Sequence, residues 1–315
     1  MADSWTEETM PDQSGRTVIV TGANTGLGYE AAAALARGGA YVVVACRSEE
    51  RGRAARERIE DDVEGASLAV MELDLADLSS VRSFARRFRR DNRELHVLCN
   101  NAGVMAIPRR ETADGFETQF GVNHLGHFAL TGLLLDRLRE TPGETRVVTQ
   151  SSYYHRRGRI DFPDLDGERS YDKWAAYAQS KLANVLFAAE FDRRLRAANA
   201  SVESVACHPG YAATDLQRRG PEMEGSWLRL RAMSLANALF AQSAERGALP
   251  MLFAATEPEV DGGEYVGPGG FLNARGPPEV QDPSARSRDE ELARRLWKLS
   301  VERTGVTFDL PEPTH

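Results

Sequence analysis

The sequence predicts an α/β fold, in which helices cover both faces of a doubly wound parallel sheet within a single domain. Short runs rich in β-branched residues alternate with longer segments of helical spacing, and strands separated by such helices form βαβ units. The strand segments are apolar throughout rather than alternating, as expected when both faces of the sheet are covered. No internal repeat or low-complexity linker divides the 315 residues, so we expect one domain.

Short apolar runs predict the strands, and the segments between them predict the helices. The strands cover residues 17–21, 41–45, 67–73, 94–99, 145–149, 201–207 and, as a short seventh, 263–266. The helices cover residues 27–37, 49–61, 79–90, 115–139 and 173–197. A last helix is predicted over 290–303, because Leu292, Leu296 and Leu299 have helical spacing. We expect it to pack back on the body, and a solvated appendage is the alternative.

These elements divide the chain into three parts. Residues 1–14 form an N-terminal extension, which is polar and acidic. Residues 15–270 carry the predicted sheet, and residues 271–315 form a C-terminal tail with one helix. The sheet-bearing part is therefore where a binding site is expected.

Charge and cysteine usage exclude several function classes. The 39 Lys and Arg residues against 47 Asp and Glu residues give a net charge of -8, which argues against nucleic acid as the main partner. Cys46, Cys99 and Cys207 show no CxxC spacing and are expected to be buried free thiols in a reducing compartment. No stretch approaches the ~18 apolar residues of a membrane span. No signal-peptide pattern begins the chain, so we expect a cytoplasmic protein.

A glycine-rich turn lies between the first predicted strand and the first helix. Glycine at such a turn lets the backbone approach a pyrophosphate, and the helix N-terminus attracts the negative charge. This position favours a dinucleotide site over a turn without a ligand. The turn reads TGANTGLG over residues 21–28, and its candidate cofactor contacts are Gly22, Asn24, Thr25, Gly26, Leu27 and Gly28.

The end of the second strand indicates which dinucleotide is preferred. An acidic residue at this point binds the ribose 2′-hydroxyl, whereas an arginine accommodates a 2′-phosphate. Here the strand ends in Ala45-Cys46-Arg47-Ser48, and no carboxylate follows until Glu49. We therefore expect NADP(H) as the preferred cofactor and NAD(H) as the alternative. Arg47 could also stack on the adenine or cap a helix instead.

With these motifs the chain resembles the short-chain dehydrogenase/reductase family, which has a Rossmann fold. The motifs occur in the family's order over residues 16–266, and ACRSEERGRAA and AYAQSKLANVLF resemble the retinol-dehydrogenase and WW-domain-oxidoreductase-like branch. The resemblance implies an oxidoreductase that uses a nicotinamide cofactor, and the preference for NADP(H) rests on Arg47. The matching elements are TGANTGLG, Asn100-Asn101-Ala102-Gly103, Asn123 in GVNHLGHF, Ser151-Ser152, Tyr177-Ala178-Gln179-Ser180-Lys181 and Pro209-Gly210.

Tyr177 and Lys181 are the central catalytic candidates. They are four residues apart on a predicted helix and therefore share one face. A nearby ammonium stabilises a phenolate and is expected to lower the pKa of Tyr177 toward the working pH. Tyr177 would then serve as a general acid or base. The resemblance implies that Lys181 also holds the nicotinamide ribose, so both residues are also cofactor contacts.

The resemblance assigns two further catalytic roles. Ser152 would hydrogen-bond the reacting oxygen, and the adjacent Ser151 is treated as a structural neighbour. The spacing does not decide between the two serines, because Ser152 lies 25 residues before Tyr177. Asn123 would hold a water that links Lys181 to solvent, and an ordinary helix-kink or cap residue is the alternative.

Other cofactor positions also follow from the resemblance. Asp74 after the third strand would contact the adenine, unless it begins the next helix instead. Thr214 would meet the carboxamide or the pyrophosphate. The remaining cofactor-lining residues implied by the resemblance are Leu75, Asn100, Ala102, Gly103, Pro209 and Gly210.

Two other chemistries are not supported by the sequence. His124 and His127 lie three residues apart on a predicted helix, but no Cys or carboxylate at matching spacing completes a metal site. His155 and His208 are lone histidines, which are more often structural than catalytic. The GxSxG nucleophile elbow of hydrolases is absent.

The segment after Gly210 bears on the substrate. In the family this region forms a substrate lid, here near residues 211–241, and its many apolar residues suggest an apolar aldehyde, ketone or retinoid- or steroid-like molecule. A core-facing stripe is the alternative for these side chains.

The predicted function is an NADP(H)-dependent oxidoreductase, an alcohol dehydrogenase or carbonyl reductase. A non-catalytic NADP(H)-sensing protein of the same fold is the alternative, and the oligomeric state stays open, with a homodimer as one candidate.

Overall fold

The computed structural model describes residues 5–210, 243–270 and 273–313. One sheet runs through these ranges in the order β3-β2-β1-β4-β5-β6-β7-β8. All its pairs are parallel except β7 with β8, so the predicted doubly wound fold is confirmed. The strands are β1 (Thr17–Thr21), β2 (Tyr41–Cys46), β3 (Ser67–Glu72), β4 (Val97–Asn100), β5 (Thr145–Gln150), β6 (Val202–Cys207), β7 (Tyr265–Pro268) and β8 (Pro278–Val280).

Helices cover both faces of this sheet. A π-helical turn, Gly121–Leu125, joins α4 to α5, and a 3₁₀ turn, Tyr153–Arg157, follows β5. None of the helices in the described ranges combines the length and the apolar character needed to cross a bilayer. The helices are α1 (Gly26–Arg37), α2 (Glu49–Asp62), α3 (Leu78–Asp91), α4 (Thr118–Phe120), α5 (Gly126–Glu140), α6 (Lys173–Ala197), α7 (Ala244–Thr256) and α8 (Glu290–Thr304).

The central strand β1 shows how the sheet separates two apolar layers. Successive side chains of a strand point to opposite faces. Ile19 packs into the layer built by α3, α5, α6 and α8, whereas Val18 and Val20 pack into the layer with α1 and α7. All three side chains are fully buried. The continuous apolar character of the strand therefore follows from a core on each side of the sheet.

Some elements differ from those predicted. Strand β4 begins at Val97 rather than at residue 94, and β7 covers Tyr265–Pro268 rather than 263–266. The helix predicted over 115–139 is interrupted by the π turn at Gly121–Leu125. Helix α7 and strand β8 were not predicted. Proline lacks the backbone N–H of a helix interior, and Pro250 within α7 obscures the helical pattern.

Both ends of the described chain pack on the body. Trp297 of α8 is buried, and its ring centroid lies 5.2 Å from that of Phe128 in α5. The tail helix thus packs back as expected. Near the N-terminus, the indole of Trp5 lies 5.4 Å from the ring of Phe253 in α7 and donates to the Glu257 carboxylate at 3.0 Å. The division into residues 1–14, 15–270 and 271–315 stays a proposal.

A buried arginine holds the C-terminal end of α7. Arg146 of β5 is 1% exposed and donates to the carbonyls of Glu257 at 2.6 Å and Val260 at 2.9 Å. Its Nε lies 3.0 Å from a carboxylate oxygen of Glu203 on β6. The last carbonyls of a helix have no partner within the helix, so this guanidinium satisfies groups that would otherwise be buried unpaired.

We expect Arg146→Met to lower the free energy of unfolding by about 3 kcal/mol or more, because it leaves the Glu203 carboxylate and several carbonyls without their cation. Urea unfolding at pH 7 measures this change. Arg90→Met is the matched control, because the Arg90 side chain is 73% exposed and should change stability by about 0.5 kcal/mol or less. Equal effects of the two substitutions on the free energy of unfolding would contradict the stabilising role assigned to Arg146.

Candidate active site

A cleft of about 1260 Å³ runs across the carboxyl ends of the parallel strands. Ligands of doubly wound folds bind at this edge, where the strand order reverses. Asn100 and Asn123 do not line the cleft, and Thr214 and the proposed lid lie outside the described residues. The predicted site residues that line it are Gly22, Asn24, Thr25, Gly26, Leu27, Gly28, Arg47, Asp74, Leu75, Ala102, Gly103, Ser152, Tyr177, Lys181, Pro209 and Gly210.

The glycine loop is packed too closely to accept side chains at its key positions. Gly22 and Gly26 have φ angles of +69° and +57°, a region that favours glycine. A Cβ added to Gly28 would lie 2.6 Å from the carbonyl oxygen of Gly22 and would also clash with the amide of Asn101. Helix α1 begins within this turn, at Gly26, and its first three residues line the cleft. This cradle fits a dinucleotide pyrophosphate.

The loop after β4 is fastened to the glycine loop by Thr21. The hydroxyl of Thr21 accepts hydrogen bonds from the backbone N–H groups of Asn101 and Ala102, both at 2.9 Å. The amide of Asn101 donates to the Thr21 carbonyl at 2.7 Å. Asn101 lines the cleft, although the sequence analysis assigned it no role. Its place in the Asn-Asn-Ala-Gly element was the available signal.

Asn100 is turned away from the cleft, contrary to the expectation that it lines the cofactor. It is the last residue of β4 and fully buried, and its amide donates to the Thr131 hydroxyl of α5 at 3.0 Å. Side chains alternate along a strand, so Asn100 points to the α5 face while the next residue reaches the cleft.

Two arginines mark one end of the cleft. Arg47 follows β2, and Arg51 lies in the first turns of α2, whose N-cap is Ser48. Both are exposed and line the cleft, and neither guanidinium has a hydrogen-bond or ion-pair partner among the described residues. Glu50 is the carboxylate at the same end. Arg51 was not identified from the sequence, although its spacing of four from Arg47 was visible.

Asp74 lies on the same side of the cleft, after β3. One of its carboxylate oxygens accepts from the backbone N–H of Ala76 at 3.0 Å. The N-cap of α3 is Asp77, whose side chain accepts from Ser79 at 2.8 Å. Asp74 therefore does not cap the helix, and the carboxylate stays in the cleft wall.

The opposite end of the cleft brings Tyr177 together with Ser152. Tyr177 is buried in the first turns of α6, and its side chain is near enough to Ser152 for that hydroxyl to lower the pKa of Tyr177. The hydroxyl of Ser151 instead donates to the Lys181 carbonyl at 2.8 Å. The geometry therefore favours Ser152 over Ser151 as the serine that faces a reacting oxygen.

Lys181 lies one helical turn after Tyr177 and is almost fully buried. Its ammonium donates to the Gln150 carbonyl at 3.0 Å and lies 5.9 Å from the centre of the Tyr177 ring. Burial lowers the pKa of Lys181 to about 8, and Cys207 opposes this shift. The amide of Asn184 donates to the same Gln150 carbonyl at 2.9 Å. The lysine is thus fixed by the backbone after β5.

The pKa of Tyr177 shifts in the direction opposite to that expected. Burial raises it to about 12, although the Ser152 hydroxyl lowers it. Removing the phenolate from water outweighs the nearby lysine, which is 5.9 Å away and directed at Gln150. Tyr177 is therefore protonated at neutral pH, which suits a proton donor.

Asn123 occupies the π-helical turn and braces the loop after β4. Its side-chain oxygen accepts from the Val104 N–H at 2.8 Å, and its amide donates to the Val104 carbonyl at 2.9 Å and to the Ser180 hydroxyl at 2.8 Å. The side chain is fully buried. The irregular helix at this residue matches the helix-kink alternative, and the proposed water relay stays a prediction.

The two nearby histidines are engaged within the fold. His124 lies 2.8 Å from the Ser300 hydroxyl of α8, and His127 lies 2.9 Å from the Thr21 hydroxyl. Burial lowers the pKa of His124 to about 3 and that of His127 to about 4, so both rings are neutral. Across the described residues no group of three His, Cys, Asp or Glu side chains could hold a metal ion.

Comparison with known proteins identifies the family to which this chain is similar. Residues 16–225 match the model of the short chain dehydrogenase family. Human retinol dehydrogenase 11 is 41% identical over 94% of this chain and 87% of its own length. Mouse polyprenol dehydrogenase is 44% identical over 94% of this chain and 86% of its own length.

Solved structures agree with these relatives. An uncharacterized protein from Mycobacterium Paratuberculosis has a TM-score of 0.80 and 40% identity, covering 98% of this chain and 100% of that one. A structure from Beutenbergia cavernae, described as an NAD(P)-dependent gluconate 5-dehydrogenase with NADP at low occupancy, has a TM-score of 0.56 and 27% identity. It covers 78% of this chain and 90% of its own.

The fold and the cleft define an oxidoreductase that transfers hydride with a nicotinamide cofactor. The chain belongs to the short-chain dehydrogenase family and resembles its retinol-dehydrogenase-like branch. The resemblance identified from the sequence motifs is thereby confirmed.

Lys181→Met should raise the melting temperature at pH 7 by about 2 °C or more, because it removes a buried ammonium that has no carboxylate partner within the described ranges. Gln150 keeps its bond from Asn184. The pKa of Lys181 falls from 10.5 to about 8 on folding. Between these values the unfolded chain holds a proton that the folded chain has lost, so wild-type stability rises with pH. The difference between variant and wild type should therefore shrink from pH 8 to pH 10.

Thermal unfolding from pH 6 to pH 10 measures this difference. Lys298→Met is the control, because the Lys298 side chain is 68% exposed. A melting temperature of Lys181→Met below that of wild type at pH 7, or a difference that does not change with pH, would contradict the assigned cost of burial.

Proposed function

We propose that the protein is an NADP(H)-dependent oxidoreductase that interconverts an apolar aldehyde or ketone and its alcohol. One observation carries the proposal: a single cleft joins Arg47 and Arg51 at one end to Ser152, Tyr177 and Lys181 at the other. A dinucleotide laid along the strand ends spans such a cleft, with its pyrophosphate at the glycine loop. Bound nicotinamide supplies or accepts the hydride.

The residues at the reactive end have distinct roles in this proposal. Tyr177, whose raised pKa keeps it protonated, donates its proton to the carbonyl oxygen as the carbonyl carbon gains hydride. The Ser152 hydroxyl hydrogen-bonds the same oxygen and orients it. Lys181, which lies beside Tyr177, would hold the nicotinamide ribose. In the reverse direction the alcohol proton returns to the tyrosine oxygen.

Arg47 and Arg51 support NADP(H) as the preferred cofactor. Two guanidiniums that are unpaired among the described residues suit a 2′-phosphate at the adenosine end, because the planar fork binds phosphate oxygens in pairs. The Beutenbergia cavernae structure was solved with NADP. NAD(H) stays the alternative, since Glu50 at the same end could accept from a ribose hydroxyl.

The walls beside Tyr177 support an apolar substrate. Tyr153, Tyr154 and Trp174 line the cleft, and Tyr153 and Trp174 are 50% and 40% exposed. Retinol and polyprenol, after which two of the relatives are named, are apolar alcohols. The three buried free cysteines fit a reducing compartment, and a cytoplasmic location is part of the proposal. A homodimer stays a prediction.

Tyr177→Phe should lower kcat at least about 100-fold and leave the NADPH Kd within about 2-fold, because only the proton donor is removed. NADPH oxidation is followed with hexanal, decanal and benzaldehyde, and binding by cofactor fluorescence. Tyr41→Phe, at the far end of β2, is the control. If wild type binds NADPH tightly and turns over none of these carbonyls, the non-catalytic sensor is favoured instead.

Arg47→Ala and Arg51→Ala should each raise the KM for NADPH about 10-fold and leave the KM for NADH nearly unchanged, because only the former carries a 2′-phosphate. Steady-state kinetics with both cofactors measures this selectivity. Arg53→Ala is the control, because Arg53 pairs with Glu49 and does not line the cleft. Equal use of NADH and NADPH by wild type would refute the assigned role.

A further inference from the structure

The C-terminal tail is bonded to the 3₁₀ turn that follows Ser152. We call residues 282–286 the strap. The Arg156 guanidinium donates to the Asp282 carbonyl at 2.8 Å, and the Ser284 N–H donates to Nε2 of His155 at 3.0 Å. The Arg286 guanidinium donates to the Gly158 carbonyl. Three separate bonds therefore hold a segment of the tail against the turn.

These bonds determine which nitrogen of His155 carries the proton. A backbone N–H can only donate, so Nε2 must accept from Ser284. In a neutral imidazole the other nitrogen then bears the hydrogen. Nδ1 lies 2.8 Å from the Ser152 carbonyl oxygen, which can only accept. The contacts on both sides of the ring thus agree on the Nδ1–H tautomer.

The ring of His155 stays neutral because of its surroundings. It is almost fully buried, and burial, with a contribution from Arg156, lowers the pKa of His155 to about 4. The Tyr265 ring packs against it, with 5.1 Å between centroids, and the Tyr265 hydroxyl lies 3.2 Å from Nδ1, where it can accept as a second partner of the same N–H. The donor at Nδ1 is therefore the same throughout the neutral pH range.

The Ser152 carbonyl oxygen is held by two groups of His155. It accepts from the His155 backbone N–H at 3.0 Å as well as from the ring. Ser152 is extended, with φ −157° and ψ 156°, and its hydroxyl accepts from the Tyr154 N–H at 3.2 Å. The turn therefore restrains both the carbonyl and the hydroxyl of Ser152, and with them the direction in which the hydroxyl faces Tyr177.

We propose that His155 is a positioning residue that aims Ser152 at the reacting oxygen by donating to its carbonyl, and that the strap selects the required tautomer. The proposal rests on the catalytic role proposed for Ser152. It assigns the lone histidine a function through Ser152 rather than contact with substrate, and it makes the C-terminal tail part of the reactive end of the cleft.

Two substitutions separate the hydrogen bond that His155 donates to Ser152 from the one that it accepts from Ser284. Asparagine carries its amide nitrogen at the same number of bonds from Cβ as Nδ1, so His155→Asn can still donate to Ser152 but cannot reach Ser284. Glutamine places its amide at the position of Nε2, so His155→Gln can still accept from Ser284 but lacks the donor to Ser152.

We expect His155→Gln to lower kcat with decanal about 10-fold while the KM and the NADPH Kd stay within about 2-fold, since orientation affects the reacting state. His155→Asn should keep at least about a third of the wild-type kcat. In a Ser152→Ala background, His155→Gln should change the remaining kcat less than about 2-fold, because its effect passes through Ser152. Thermal unfolding checks that each variant is folded.

If His155 only stabilised the fold, the variants would show a different pattern of losses in kcat. Equal losses in both variants that follow their melting temperatures, or a loss from His155→Gln that persists without the Ser152 hydroxyl, would overturn the proposal. Long-range ¹H–¹⁵N NMR, with His155→Asn used for assignment, tests the tautomer without activity. A proton on Nε2 would also overturn it, whereas absent turnover with a proton on Nδ1 would refute the proposed function alone.

Discussion

The hydroxyl of Thr21 is the point on which both halves of the cleft depend. It accepts from Asn101 and Ala102 and contacts Nε2 of His127 at 2.9 Å. His127 Nδ1 lies 3.1 Å from the Asn123 carbonyl, which can only accept, and the Thr21 hydroxyl also lies within donating distance of the Cys99 carbonyl, at 3.2 Å. One buried side chain thus joins the end of β1, the loop after β4 and the π turn. These contacts give partners to polar groups that are buried at the centre of the fold.

The sequence predicted the parts of this arrangement that are local. Tyr177 and Lys181 share a helix face because of their spacing, and the glycine loop follows from its place between a strand and a helix. Asn100 shows the limit of such reasoning. Whether it or Asn101 reaches the cleft depends on the last residue paired in β4, and strand ends are the least certain feature of a sequence-based prediction.

Other features could not be predicted because they join distant segments. Arg146 holds carbonyls more than 100 residues along the chain, and Ser284 bonds His155 across 129 residues. Pairs that are this distant in sequence leave no periodic pattern from which they could be predicted. The pKa of Tyr177 is a similar case: the sequence shows a lysine four residues away, but the burial that raises the pKa belongs to the assembled fold.

The buried ammonium at the reactive end of the cleft destabilises the fold, and hydrogen bonds around it hold its neighbours in place. Lys181 is buried with a carbonyl rather than a carboxylate beside it, and burial lowers its pKa to about 8. Burying a charge without an opposite charge beside it is unfavourable, because the lost hydration is not compensated. Gln150 is held by Asn184, and Ser152 is held by His155 and the strap. In the role proposed for His155, the tail therefore restrains the end of the cleft at which this charge lies, across 129 residues of sequence.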